Sequence, residues 1–303
     1  MKLHSTSTSL AAALAILLST ASLTPALAQE ASTLKKIKDT GSITLGHRES
    51  SIPFSYYDDK QQVIGYSHEL MLKVVDAIKG ELKLDKLNTR LMPVTSANRI
   101  TLLQNGTVDI ECGSTTNNLE RQKQASFSTT IFVIGTRLLT KKTSGINDFA
   151  DLAGKNVVTT AGTTSERLIR KMNEEKKMGM NVISAKDHGE AFLTLETGRA
   201  VAFMMDDALL YGEMAKAKKP GDWTVVGTAQ SEEAYGCMLR KGDTEFKKVV
   251  DAALTKAMTS GEAEKIYNKW FLNPFPPKGL NLNMPLSAEM KALYKAPNDK
   301  AFE

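Results

Sequence analysis

Apolar and polar positions along the chain follow a repeating strand–helix rhythm from residue 42 onward. Residues 42–46 (SITLG) are a short β-rich run. Between 67 and 78 the apolar residues Leu70, Val74, Val75 and Ile78 recur at helical spacing. Residues 87–94 predict a strand, 99–105 a short helix that stops before Gly106, and 108–113 (VDIECG) a further strand. This βαβαβ order predicts a mainly parallel sheet covered by helices. The same rhythm returns without a close sequence repeat: strand at 156–160, helix at 165–175, strand at 182–185, helix at 190–196 and strand at 200–205. Residues 246–271 predict one helix, with Val249, Ala253 and Ala257 on its apolar face and Trp270-Phe271 at its end. The following 273–279 (NPFPPKG) is too Pro-rich for regular structure.

One apolar run stands outside this rhythm. Residues 10–18 (LAAALAILL) follow the basic Lys2 and precede Thr24-Pro25-Ala26-Leu27-Ala28. Charge, apolar run and small-x-small site in that order predict a secretory signal peptide over 1–28, cleaved after Ala28. The run is too short to cross about 30 Å of hydrocarbon, and no later stretch reaches the length of a membrane span. The expected location is the periplasm of a Gram-negative cell, with secretion into the medium as the alternative, and the exported protein is not expected to be membrane-embedded.

Length and composition narrow the class. At about 100–200 residues per domain, 303 residues predict two domains. With 42% hydrophobic and 24% charged residues, collagen-like, disordered and disulfide-dense classes are excluded. A formal charge of +5, with no basic block carrying interleaved aromatics, gives no footprint for nucleic acid. Export also changes the reading of Cys112 and Cys237, which are the only two cysteines. In an oxidising compartment a disulfide between them is the expected state, and two buried free thiols are the alternative.

Ligands of open α/β sheets bind outside the carboxyl ends of the strands. The polar residues gather there. After the successive strands come His47-Arg48-Glu49-Ser50, Thr95-Ser96-Ala97-Asn98-Arg99, Ser114-Thr115-Thr116 with Glu120-Arg121, Gly162-Thr163-Thr164-Ser165-Glu166, Asp187-His188-Gly189 and Asp206-Asp207. Arg48, Arg99 and Arg121 take equivalent topological places, and each offers a planar fork that matches a carboxylate. Three of them at one edge predict a small ligand with more than one negative group. Thr163 and Glu166 fit a helix capping box. Asp206 suits an ammonium group or, equally, the cap of a helix that begins at Asp207. His188 suits an anion or a helix start. Signatures of catalysis are missing: no G-x-S-x-G, H-E-x-x-H, P-loop or G-x-G-x-x-G occurs, and the four His form no metal-spaced cluster. The adjacent Asp187 and His188 cannot orient one another as a triad requires. The edge reads as built to bind, with no enzyme activity, cofactor or metal expected.

The segments 63–67 (VIGYS), 95–107 (TSANRITLLQNGT), 108–122 (VDIECGSTTNNLERQ), 184–189 (SAKDHG) and 201–208 (VAFMMDDA) resemble the periplasmic polar-amino-acid-binding proteins of ABC importers. The resemblance extends from about Leu34 to the C-terminus. HRES at 47–50, PFSYY at 53–57 and KDHG at 186–189 point to the members with acidic ligands. It implies an α/β fold of type II, the two-lobed periplasmic-binding-protein fold, with two lobes joined by two crossing strands near 131–139 and 233–239. Lobe 1 would comprise 29–133 and 234–303, and lobe 2 the inserted 134–233. The resemblance further implies that Arg121, Thr116 and Thr164 hold a ligand α-carboxylate, and that Asp206 and Ser114 hold its α-ammonium. Arg48, Arg99, Ser96 and His188 would surround a side-chain carboxylate. The implied ligand is L-glutamate or L-aspartate, which differ by one methylene worth only about 1–3 kcal/mol. The implied partner is an inner-membrane ABC permease, and the protein is expected to be monomeric. Two other readings are an exported dehydratase-like enzyme on the same fold and a ligand-presenting subunit for a chemoreceptor.

Overall fold

The computed structural model describes Met1 and residues 32–302, apart from Pro277 and Leu280. The expected signal peptide, 1–28, lies outside the described residues apart from Met1.

Ser32 accepts a hydrogen bond from the Lys35 amide and starts α1 (Thr33–Thr40), which ends at Gly41. β1 (Ser42–His47) follows. β2 (Ser50–Ser51), β3 (Ser55–Tyr57) and β4 (Val63–Ile64) make a small antiparallel sheet of their own. Then come α2 (Tyr66–Glu81), β5 (Asn88–Pro93), α3 (Arg99–Gln104), β6 (Ile110–Glu111) and α4 (Leu119–Gln122). The long β7 (Ala125–Lys141) leads into β8 (Asn156–Thr160), α5 (Thr164–Glu175), β9 (Asn181–Ala185), α6 (His188–Glu196), β10 (Ala202–Asp206) and α7 (Asp207–Lys216). The chain returns through β11 (Trp223–Val226) and β12 (Glu232–Arg240), then forms α8 (Thr244–Thr259), α9 (Glu262–Phe271) and α10 (Ala288–Lys295).

The strands lie in the order β5-β1-β6-β12-β7-β10-β8-β9, with β11 on β7. β1 pairs in parallel with β5 and β6, and β8 in parallel with β9 and β10. Between these two parallel sets run β7 and β12, antiparallel to one another. β12 also pairs with β6, and β7 with β10, so the two long strands bind one set to the other. This is the two-lobed α/β arrangement of type II, with both crossings made by β7 and β12.

One buried apolar cluster runs across both sets, joining Ile43, Leu45 and Ile110 of the first to Val158, Phe203 and Met205 of the second. Beside β1 and β12, Phe54, Tyr66, Phe132, Tyr267 and Phe271 pack ring to ring, with the Phe132 and Phe271 centroids 5.0 Å apart. Such pairs contribute about 0.5–1.5 kcal/mol each beyond their buried area. The Tyr66 hydroxyl donates to the Ile131 carbonyl at 2.6 Å, which fastens α2 to β7. In the other lobe Leu138, Phe149, Val157, Ile169, Ala202 and Met204 form a separate cluster.

The sequence pattern draws neither α4 nor β11, gives β7 and β12 only through the resemblance, and differs from the structure in three further respects. The single helix expected at 246–271 is two, because Gly261 sits at φ +80° between α8 and α9. An L side chain disfavours that conformation, and a helix cannot run through it. The strand expected at 108–113 pairs only over Ile110–Glu111, after which the chain leaves the ladder. α1, α10 and the β2–β4 sheet are too short to show a period, and the pattern does not predict them.

Candidate ligand-binding cleft

Short caps and turns bring the polar side chains to the strand ends. Thr95 and Asn98 exchange hydrogen bonds between amide and side chain, and this turn delivers Arg99 as the first residue of α3. Asn118 caps α4 by accepting from the Arg121 amide at 2.9 Å. Thr163 caps α5, although Glu166 reaches back to the Gly162 amide rather than to that of Thr163, so the capping box is half realised. Asp187 caps α6 and makes His188 its first residue, two positions earlier than the pattern predicts.

Arg48, Ser114 and Arg99 form one group. Arg48 Nη1 donates to Ser114 Oγ at 3.4 Å, Ser114 Oγ to Ser51 Oγ at 3.2 Å, and Arg99 Nη1 to the Ser114 carbonyl at 3.1 Å. Arg99 Nη1 also donates to Thr115 Oγ1. Both arginines are only 1–2% exposed. Burial, and then its neighbour Arg99, pull Arg48 down to about 10, while burial lowers Arg99. Both stay cationic at neutral pH, since a guanidinium does not give up its proton in proteins.

His188 faces the same pair from the other lobe. Its Nδ1 lies 2.8 Å from Thr160 Oγ1. Burial, followed by the charges of Arg48, Arg99 and Lys216, lowers its pKa well below the usual histidine value, so the ring is neutral. A Thr160 hydroxyl that donates to Nδ1 would leave the proton of the neutral ring on Nε2. Ser96 is buried on the lobe that carries Arg99. Arg48 Nη2, Arg99 Nε, Ser96 Oγ and His188 Nε2 are all buried without a hydrogen-bond partner among the described residues. Each orphaned buried polar atom costs about 1–3 kcal/mol, so these four, two of them on the arginine cations, describe a seat for an anion.

Arg121 forms a second cationic point. Its Nη1 donates to the Thr116 carbonyl at 3.0 Å and its Nη2 to the Gly162 carbonyl at 3.1 Å. Burial, then Arg99, lower it to about 9. Thr164 is only half-buried, and its hydroxyl donates to Glu233 Oε2 at 2.9 Å.

Asp206 resolves the ambiguity of its sequence. It occupies the cap position of α7, yet its side chain makes no cap bond. Instead Oδ1 accepts from Thr136 Oγ1 at 2.9 Å and from Ser165 Oγ at 3.4 Å, and Oδ2 accepts from the Tyr235 hydroxyl. Burial first, and the Glu233 carboxylate second, push it up to about 7. A cation seated there would relieve both penalties.

The lobes touch across this cleft. Besides the Arg121–Gly162 bond, the Gly189 amide donates to Ser50 Oγ at 3.2 Å. Eight of the nine expected residues are buried in or beside the contact, and Thr164 is the exception. Thr136, Thr160, Ser51, Glu111, Glu233 and Tyr235 also belong to these networks, and sequence reading does not pick them out. Tyr235 and Glu233 lie on β12, where strand alternation is the only signal. The two cysteines are joined, with Cα atoms 4.3 Å apart and both side chains fully buried, so the disulfide holds and free thiols do not. Among the described residues no cluster of His, Cys, Asp or Glu is placed to hold a metal ion, and no helix is long and apolar enough to cross a membrane.

Two lobes on a pair of crossing strands, with a polar cleft between them, define a protein that encloses a small solute. The chain belongs to the bacterial extracellular solute-binding proteins, family 3, whose model matches residues 43–273. It is 68% identical over 281 residues to the L-glutamate/L-aspartate-binding protein of Pseudomonas aeruginosa, covering 92% of this chain and 93% of that one. It is 67% identical over 270 residues to the glutamate/aspartate import solute-binding protein of Salmonella typhimurium, covering 89% of each. Among solved structures it is similar to a mutant of ArgBP from T. maritima, with a TM-score of 0.70 and 25% identity over 78% of this chain and 98% of that one.

Proposed function

We propose that this protein captures L-glutamate or L-aspartate in the periplasm, between its two lobes, and delivers it to an inner-membrane ABC permease. The observation that carries this reading is the set of buried polar atoms on Arg48, Arg99, Ser96 and His188 that lack a partner among the described residues, which asks for a carboxylate beyond the one at Arg121. In this reading Arg121, Thr116 and Thr164 hold the α-carboxylate, and Asp206 with Ser114 holds the α-ammonium. Arg48, Arg99, Ser96 and His188 hold the side-chain carboxylate. Lobe 1 is residues 29–133 with 234–303, and lobe 2 is 134–233. The open protein loads its ligand on lobe 1, and hinge closure through β7 and β12 brings up Thr164, His188 and Asp206. Closure removes water from the charges and strengthens each pairing. Export by a signal peptide cleaved after Ala28 and a monomeric state complete the reading. The names of the Pseudomonas and Salmonella relatives support the ligand class.

The test is calorimetry with Glu, Asp, Gln, Asn and His. Micromolar or tighter binding of Glu or Asp, about −8 kcal/mol or better, is expected, with Gln and Asn much weaker. Tight binding of Gln without Glu would overturn it.

A further inference from the structure

Behind the paired arginines sits a carboxylate that the ligand reading does not use. Glu111, at the end of β6, is fully buried. Its Oε2 accepts from Thr115 Oγ1 at 2.5 Å, and that same hydroxyl accepts from Arg99 Nη1. Its Oε1 has no hydrogen-bond partner among the described residues. A Cβ built on Gly113 would come within 2.5 Å of Glu111 Oε1 and 2.8 Å of Arg48 Cγ, so the carboxylate and the Arg48 stem flank one backbone position that only glycine fits. Glu111 therefore lies beside both arginines, linked to Arg99 through Thr115. It is also the leading charge that opposes the effect of burial on Arg99, and it leads the attractions felt by Arg48 after burial and Arg99 itself.

The charges then sum simply. Arg48 and Arg99 bring two cations, Glu111 one anion, and His188 is neutral. Asp187 also attracts Arg48, and Lys216 acts on His188 as a further cation, so these two more distant charges offset one another in the sum. The deep subsite keeps one net positive charge. A buried excess charge is costly unless it is matched, and one negative charge on the ligand matches it.

Resting on the glutamate/aspartate reading, we propose that Glu111 is a specificity-determining residue: it trims the twin-arginine subsite to a single positive charge and so selects a monoanionic side chain over a dianionic one. Glu111 acts through Arg99 and Arg48 without touching the ligand. Removal of its charge, with its shape kept, turns the subsite toward dianions.

The probe is L-O-phosphoserine, an amino acid with an acidic side chain whose phosphate takes its second negative charge at a pKa of about 6. Calorimetry at pH 5 and pH 7.5 gives its affinity relative to glutamate. In the unaltered protein the ratio should fall about tenfold between the two pH values. In Glu111→Gln, whose amide oxygen still accepts from Thr115, the ratio at pH 7.5 should rise at least tenfold over the unaltered protein, and Glu111→Asp should restore it. A merely structural role for Glu111 would weaken both ligands together and leave the ratio where it was. An unchanged ratio in Glu111→Gln overturns the proposal. If that variant does not fold, a ratio in the unaltered protein that stays flat with pH overturns it alone. Should the unaltered protein fail to bind glutamate at all, the ligand reading falls first and this inference with it.

Discussion

Arg121 reaches from one lobe to the other: its Nη2 donates to the Gly162 carbonyl at 3.1 Å while its Nη1 stays on the Thr116 carbonyl of its own lobe. One guanidinium thus holds a lobe-1 turn and a lobe-2 turn at the same time. The cation expected to bind the ligand α-carboxylate is also a bolt of the closed cleft, so ligand affinity and closure share one residue.

The partner of that bolt supplies the first prediction. Gly162 sits at φ +76°, and a Cβ there would fall 2.6 Å from Ala97 Cα and 2.7 Å from the Ala97 amide nitrogen, across the cleft. Gly162→Ala meets both a left-handed backbone penalty of about 1–2 kcal/mol and a backbone clash that closure cannot avoid. Glutamate affinity should drop at least tenfold, and small-angle scattering should show that saturating glutamate no longer compacts the protein. Thermal stability without ligand should fall by no more than that backbone penalty of about 1–2 kcal/mol, since the clash arises only when the lobes meet. Full compaction of the variant by glutamate would count against this reading.

Asp206 predicts a pH dependence. Its folded-state pKa is raised to about 7, by burial and then by Glu233, whereas an unfolded Asp titrates near about 3.9. Between these values the folded, ligand-free protein holds a proton that the unfolded chain does not. Its stability therefore falls as pH rises from about 4 to about 7. A ligand ammonium beside Asp206 favours the carboxylate, so binding releases the proton. Glutamate affinity should rise as pH goes from 5 to 7 and then level off. Calorimetry near pH 6 in buffers of different ionisation enthalpy should register net proton release, and Asp206→Asn should abolish it. Proton uptake on binding would contradict the assignment.

The strand–helix alternation and the three arginines are legible in the chain because each arginine follows a strand with a clear hydrophobic period and a short polar turn, whereas the strand order is not. Arg48, Arg99 and Arg121 are close to one another because parallel strands present their carboxyl ends at one edge. Asp206 was ambiguous for a local reason, since the residue before a helix suits a cap as well as a ligand. Its true partners, Thr136 on β7 and Tyr235 on β12, come from crossing strands far away in sequence, and no periodicity marks them. Glu111 was hidden in the same way, inside a strand whose alternation gave no hint that its carboxylate faces two arginines. Gly261 could have been read as a helix break, but continuous apolar spacing on both sides masked it.

Arg99 provides a direct test of the deep subsite. It is 2% exposed and keeps Nε without a partner while Nη1 holds Ser114 and Thr115. Arg99→Ala removes one of the two cations that Glu111 acts on and that a ligand carboxylate would meet. Loss of one partner from a buried charge pair costs about 2–5 kcal/mol, so glutamate binding should weaken by at least thirtyfold. Glutamine, already weak, should lose much less. Arg99→Lys should not restore affinity, because a point charge cannot reproduce the planar fork. Unchanged glutamate affinity in Arg99→Ala would remove this arginine from the site.

The disulfide separates stability from binding. Cys112 lies two residues before Ser114, and Cys237 two residues after Tyr235, so the bridge fastens the turn that carries Ser114 to the strand that carries the Asp206 partner. It closes 125 positions of chain. Chain-entropy reasoning assigns a loop of that size roughly 4–5 kcal/mol, and measured effects are often smaller. Both sulfurs are fully buried, so a double Cys→Ala variant also loses packing. The double variant should unfold at a lower urea midpoint, with a loss of about 2–5 kcal/mol. Its glutamate affinity, measured well below that midpoint, should fall only a few fold, because Arg48, Arg99 and Arg121 sit on turns fixed by their own caps and hydrogen bonds. Equal urea midpoints with and without the bridge would show that the folded lobe supplies its own constraint. A large affinity loss at unchanged midpoint would instead make the bridge part of the binding geometry.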